Sequence, residues 1–227
     1  MKLFYSVFIS IVVALFIISA SIALPIVVRP FYYLQIEDLE LEEFSGYSET
    51  QIRMAYDEML DYCLYLTNDF STGDLAWSES GKSHFDDVRK LFAFDLIVAV
   101  TSAVILMLTF IINRIRRTKL RRIFGLSPLF YGGIMPGIIF SVLAVFIAAD
   151  FNSAFTIFHK IFFPGKDNWI FNPRTDAIIN ILPEQFFARC ALFIGISIII
   201  MCACFIVVSI LITRRERLSR NRNHGHL

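Results

Sequence analysis

The chain of 227 residues is 56% hydrophobic and 15% aromatic, with 18% charged residues and a formal net charge of +1. Its mean hydropathy is +0.63. This balance excludes disordered, collagenous and nucleic-acid-binding chains and argues against a water-soluble globule of this length.

Cut at its charged residues, the sequence yields four long uncharged runs: Leu3–Val28 (26 residues), Leu96–Asn113 (18), Ile123–Ala149 (27) and Cys190–Thr213 (24). A hydrocarbon core roughly 30 Å thick needs about 20 apolar helical residues, so each run predicts a span. The second reaches full length once Leu91–Asp95 is included. The expected fold is an all-α integral membrane protein with four transmembrane helices. It reads as one membrane domain, 1–227, with spans at about 3–28, 91–113, 126–149 and 188–213. Loops 29–90 and 150–187 then share one side, and loop 114–125 and tail 214–227 the other.

Charge orients the spans. Lys2, the 114–122 segment and the 214–222 segment together hold twelve basic residues against the single acid Glu216. The 29–90 loop holds fourteen acids and five bases. Short basic loops stay cytoplasmic, which predicts both termini inside and the two long loops outside. The basic segments read as a topology signal with attraction to anionic lipid. Lys2, the first apolar run and the small residues Ser21 and Ala23 also resemble a cleavable signal. The run is longer than a signal core, and cleavage would leave an odd number of spans, so the first helix reads as a span.

The loops carry the chemistry. Gly46–Phe70 reads as an amphipathic helix: Ser48 and Gln51 have capping-box spacing, and Ile52, Ala55, Tyr56, Met59, Cys63 and Leu66 recur at helical intervals. It is expected to lie on the leaflet or cover the bundle rather than catalyse. A second segment, Ser83 to Leu91, runs into the second span. At 100° per residue, His84, Leu91 and Asp95 fall within about 40° of one another and Asp87 roughly 60° aside, placing Asp87 to orient the imidazole. An acid such as Asp95 at the mouth of a span usually faces a polar cavity or a partner. In the second loop, Phe151, Phe155, Phe158 and Phe162 form a stripe one helix face wide, with His159 beside it, and Pro164-Gly165 ends the helix.

The chain has four histidines. His224 and His226 belong to the basic tail and read as solvated. His84 and His159 share the outer side near helix ends, so a common site is plausible, although a hydrogen-bonded structural histidine is the blander reading of each. The four cysteines (Cys63, Cys190, Cys202 and Cys204) have no zinc or disulfide spacing. Neither a phosphate-binding glycine loop nor a nucleophile elbow occurs, and no metal or other cofactor is expected.

These motifs resemble the bacterial lipoprotein intramolecular transacylases, the Lit family. The resemblance rests on Ser83-His84-Phe85-Asp86-Asp87-Val88 before a span, on Phe158-His159-Lys160-Ile161-Phe162-Phe163, and on Trp169-Ile170-Phe171-Asn172-Pro173. Asp176, the block Ile181-Leu182-Pro183-Glu184-Gln185-Phe186-Phe187, and Phe31-Tyr32-Tyr33 after the first helix extend it over nearly the whole chain. It implies a bacterial cell-membrane acyltransferase that moves the sn-2 acyl chain of a diacylglyceryl lipoprotein to the α-amino group of its N-terminal cysteine, leaving the lyso form. The implied partners are the diacylated lipoprotein and membrane lipids; oligomeric state stays open. Histidine, with a reference pKa near 6.5, is a suitable base for an ammonium near 7.7–8.0. His84 and His159 are therefore the expected catalytic pair. Asp87, Asp95, Trp169, Asp176 and Glu184 are expected to support them or place substrate, and Pro183 and Phe186 to be structural. The alternatives are a non-catalytic assembly factor or sensor and an N-acyltransferase that uses phospholipid as donor. A metal hydrolase is weaker, because no HExxH-like spacing joins the two histidines.

Overall fold

The computed structural model describes residues 2–116, 118 and 120–224, and they contain helices without strands. Arg117, Lys119 and His226 lie outside the described residues, as do the side chains of Lys2, Arg217, Arg220, Arg222 and His224. The helices are α1 (Lys2–Val27), α2 (Pro30–Asp38), α3 (Leu41–Ser45), α4 (Glu49–Cys63), α5 (Glu79–Ile115), α6 (Pro128–Ala149), α7 (Phe151–Phe162) and α8 (Glu184–His224), with a 3-10 turn at Ala177–Asn180. Helices α1, α5, α6 and α8 are long and apolar enough to cross a membrane. The second predicted span and the segment carrying His84 are one continuous helix, α5.

Helix boundaries follow local chemistry. Pro30 opens α2, where its missing N–H costs nothing. The capping box forms as the spacing predicts: Ser48 Oγ accepts from the Gln51 N–H, and the Ser48 N–H donates to Gln51 Oε1. Helix α4 stops at Cys63 rather than near Phe70, because Tyr65 turns left-handed at φ 61°. Leu66, expected on the buried face, is 67% exposed.

By its contacts the chain resolves into two compact units, Met1–Ser21 with Ile97–Ala144 and Gly195–Leu227, and Ile22–Leu96 with Val145–Ile194. In the first, helices approach through small residues. A Cβ on Gly132 would lie 2.5 Å from Val13 Cβ and 2.6 Å from the Ser10 carbonyl oxygen, so α6 meets α1 backbone to backbone. The Ser10 hydroxyl donates to the Pro128 carbonyl at 3.0 Å, and Tyr5 and Thr109 share a hydrogen bond at 3.1 Å. Close approach and interhelical hydrogen bonds are how helices associate in lipid, where apolar burial gives no drive.

The second unit has an aromatic core. Tyr32 is fully buried, stacked on Tyr56 at 3.8 Å and edge-on to Phe186 at 5.2 Å, and its hydroxyl donates to the Ile181 carbonyl at 2.8 Å. Such ring pairs contribute about 0.5–1.5 kcal/mol beyond area burial. Arg29 binds Asp57 at 2.9 Å and also Asp61, while the Tyr33 hydroxyl donates to Asp57 at 2.6 Å. The result fixes α4 to the start of α2 through the half-buried Asp57 and Asp61.

Candidate active site

His84 lies in the second turn of α5, upstream of the apolar stretch from Leu91. The start of this helix is stitched to the loop after α7. Asp176, 5% exposed, accepts from the Ser78 N–H at 2.9 Å and the Ser78 hydroxyl at 2.7 Å, and the Ala177 N–H donates to the Ala76 carbonyl at 2.9 Å. Gly81, one turn before His84, allows this: a Cβ there would sit 2.1 Å from Asp176 Oδ1.

His159 is carried by α7, which begins at Asp150, whose carboxylate accepts from the Ser153 N–H at 3.0 Å. The helix ends before Pro164 and Gly165, the latter at φ 72°. His159 Nδ1 is 2.8 Å from the Phe155 carbonyl oxygen. A carbonyl only accepts, so Nδ1 carries the hydrogen and Nε2 keeps its lone pair.

The two imidazoles face each other with ring centroids 5.8 Å apart and planes 33° apart. Aromatic rings enclose them. Trp169 stacks on His159 at 4.6 Å and Phe155 lies 4.2 Å from it. Phe163 is 5.0 Å from His84 and 5.7 Å from His159, and Phe171 is 5.4 Å from His84. His84 is 6% and His159 7% exposed. Burial holds both basicities down, since desolvation disfavours imidazolium. His84 falls to about 4, first through desolvation and then through His159, with Asp87 opposing. His159 is lowered less simply: burial lowers it while its bond to the Phe155 carbonyl pulls back up. Both rings are neutral at neutral pH.

The structure brings Trp169 to the histidines but distributes the other supporting residues differently. The Asp87 carboxylate turns to Lys166 at 2.5 Å and Lys90 at 3.6 Å, whereas His84 Nδ1 has no hydrogen-bond partner among the described residues. Asp87 thus locks the 163–171 loop to α5 instead of bonding the imidazole. Burial would raise its pKa, but hydrogen bonds from Lys166 and Asn168 outweigh it and hold it below the usual carboxylate range. Asp95 is eleven residues beyond His84 on the same helix, about 16 Å along the axis at 1.5 Å per residue. Exposed Glu184 accepts from Asn152 Nδ2 at 3.2 Å, tying the start of α8 to α7. Phe186 packs in the core, as its motif position suggests.

The phenylalanine stripe divides. Phe155 packs inward against His159 and Phe187, while Phe158 and Phe162 pair at 4.6 Å on an exposed face with Ile157 and Ile161. Sequence reasoning gave no role to Phe163 and Phe171, although both stand in the quoted motifs, and missed Lys166, Ser78 and Gly81. Of the last three, Gly81 left a signal, as a glycine placed one turn before a candidate histidine. Among the described residues, no group of three or more histidine, cysteine or acidic side chains is arranged to hold a metal ion.

The family model for lipoprotein intramolecular transacylase Lit matches residues 7–187. Among solved structures, the membrane integral lipoprotein intramolecular transacylase Lit from Bacillus cereus superposes with a TM-score of 0.86 at 23% identity, covering 96% of this chain and 98% of that one. Two structures of the same protein with a histidine replaced, by arginine or by alanine, give TM-scores of 0.80 at 23% identity; each covers 96% of this chain, and 95% and 96% of theirs. No curated protein matches the chain by sequence. With four apolar spans and a family match over most of its length, the chain belongs to the Lit family of lipoprotein intramolecular transacylases, acyltransferases integral to the membrane.

Proposed function

We propose that His84 and His159 are the catalytic pair of an O-to-N acyl shift within one diacylated lipoprotein. The observation that carries this reading is a pair of buried, neutral imidazoles 5.8 Å apart in an aromatic shell. His159 is the base. The N-terminal cysteine enters as its free amine, the ammonium proton having gone to solvent. The Nε2 lone pair takes the second proton that this nitrogen sheds on bonding to carbon, and the imidazolium returns it to the leaving oxygen. The amine nitrogen attacks the sn-2 ester carbonyl. The N–C bond forms, the acyl C–O bond breaks, and the proton lost by nitrogen ends on the glycerol oxygen. His84, the weaker base, donates from a neutral ring to the tetrahedral oxyanion.

The aromatic shell supports transfer over hydrolysis, because exclusion of water leaves the amine as the competing nucleophile. Donor and acceptor sit on one molecule, so orientation supplies much of the rate. Trp169 holds the His159 ring plane. Asp176 and Asp87 act on His84 by fixing the start of α5 and its covering loop; Glu184 and Asp95 are assigned to substrate placement. The charge balance of the loops supports cytoplasmic termini and a site at the outer face of a bacterial cell membrane.

The test is tandem mass spectrometry of a diacylated lipopeptide incubated with the purified protein, locating each acyl chain. Isomerisation without a mass change, with one chain on the cysteine nitrogen, is the expected result. A gain of one acyl chain would overturn the intramolecular reading in favour of a phospholipid donor. An unchanged lipopeptide with folded protein would favour a non-catalytic role.

A further inference from the structure

Within the first unit, α1, α5, α8 and the segment before α6 border a cleft of about 470 Å³, inside the roughly 300–1,000 Å³ range of single-ligand pockets. None of its lining residues belongs to the histidine site. Phe16, Leu106, Phe110 and Phe205 make its wall apolar. It follows α5 from Ala103 to Asn113, a length of about 15 Å. At the polar end stand Arg122 and Glu216, paired at 2.7 Å. Arg114, Arg116, Arg121, Arg214 and Arg215 flank these lining residues in sequence, so the described chain segments that form this end are strongly basic.

The turn beside Arg122 points to the same surroundings. Ile123 and Leu126 exchange two backbone hydrogen bonds of 2.9 Å, and between them Phe124 takes a left-handed φ of 45° and is 96% exposed. An aromatic residue rarely adopts that conformation. Here it holds a ring outward next to arginines, the composition of a membrane-interface anchor.

We propose that this cleft binds an anionic phospholipid, with one acyl chain along the apolar wall and the phosphate at Arg122. A free phosphate would leave the wall unused, and a lipid without net charge would leave the arginine excess unmatched. Glu216 opposes the headgroup and therefore tunes the preference.

The full-length protein in detergent, equilibrated with dioleoyl-phosphatidylglycerol or dioleoyl-phosphatidylcholine at equal concentration and examined by native mass spectrometry, tests this. Wild type is expected to retain the anionic lipid about fivefold better, the ratio one well-placed basic residue gives near a lipid surface. Arg122→Gln should bring the ratio near one and Glu216→Gln should raise it, although both break the same ion pair. Leu106→Trp, which fills the wall, should lower retention of both lipids. Equal retention of the two lipids by wild type would overturn the proposal. So would a shift in the same direction for Arg122→Gln and Glu216→Gln, the signature of a merely structural ion pair, or unchanged retention in Leu106→Trp.

Discussion

The two units hold their helices together by opposite means. The first uses absence: Gly132 has no Cβ, and Val13 occupies the space it leaves. The second uses bulk, stacking Tyr32 on Tyr56 and closing with Phe186. Lipid gives helices no hydrophobic reason to associate, so close backbone approach and hydrogen bonds decide. Aromatic burial with ion pairs at its edge is the pattern stabilised against water. The same contrast explains where the histidines are: an aromatic unit can desolvate an imidazole and leave it neutral, a state that small-residue packing has no means to impose.

That contrast is open to attack at several strengths. The largest effect is expected from His159→Ala or His84→Ala, each lowering turnover by roughly 10²–10⁴ if proton transfer is rate-limiting. Single-turnover mass spectrometry measures it, and wild-type turnover in a folded double mutant would sink the assignment.

Acid should act on the second unit selectively. His84 is depressed from about 6.5 to about 4, so the unfolded chain binds a proton first as pH falls. Stability is fully present above about pH 6.5 and declines between there and about pH 4, by at most about 3 kcal/mol from this group. His159 is displaced in the same direction. Stability measured in buffered detergent between pH 7.5 and 4 checks this. The same depression removes any histidine limb near 6.5 from kcat/KM, which should instead rise as the substrate ammonium deprotonates at about 7.7–8.0. A profile breaking near 6.5 would contradict neutral, buried rings.

Two of the crowded glycines, one in each unit, separate them. Gly132→Val drives a side chain into Val13 and should cost about 1–3 kcal/mol, lowering Tm while the protein that remains folded retains its specific activity. Gly81→Ala meets the Asp176 carboxylate instead. It should lower specific activity as well as Tm, because the turn that moves carries His84.

The smallest effect is Tyr32→Phe. Loss of the hydroxyl that donates to the Ile181 carbonyl should cost about 1 kcal/mol, with the ring stack intact and turnover unchanged. A larger loss would mean that the core depends more on its buried hydrogen bond than on ring packing.

What was legible in the sequence was local. The four spans follow from run length against bilayer thickness, and the Ser48–Gln51 box formed because both residues lie within one turn. His84 and His159 were singled out as rare titratable residues in the motifs of the two long loops and by family resemblance. What spacing left open has a different cause. Asp87 has the right spacing to serve His84, yet a cation 79 positions away takes its carboxylate. The Gly46–Phe70 pattern continues past Cys63, but a left-handed Tyr65 ends the helix and exposes Leu66. The phenylalanine stripe has helical periodicity throughout, yet Phe155 and Phe158 reach His159 while Phe162 pairs with Phe158 on the exposed side.

Hydropathy and spacing, properties of consecutive residues, thus determined the four spans and singled out the side chains with titratable chemistry. Tertiary structure alone decided that two histidines 75 positions apart in the chain meet within 5.8 Å. It also decided that Trp169, Phe163 and Phe171 desolvate them and that the Phe155 carbonyl fixes the tautomer of one. Those facts depend on how α5, α7 and the loop between α7 and α8 pack. A chain pattern with periods of a few residues carries no record of such long-range contacts, which exist only once the backbone has brought the rings together.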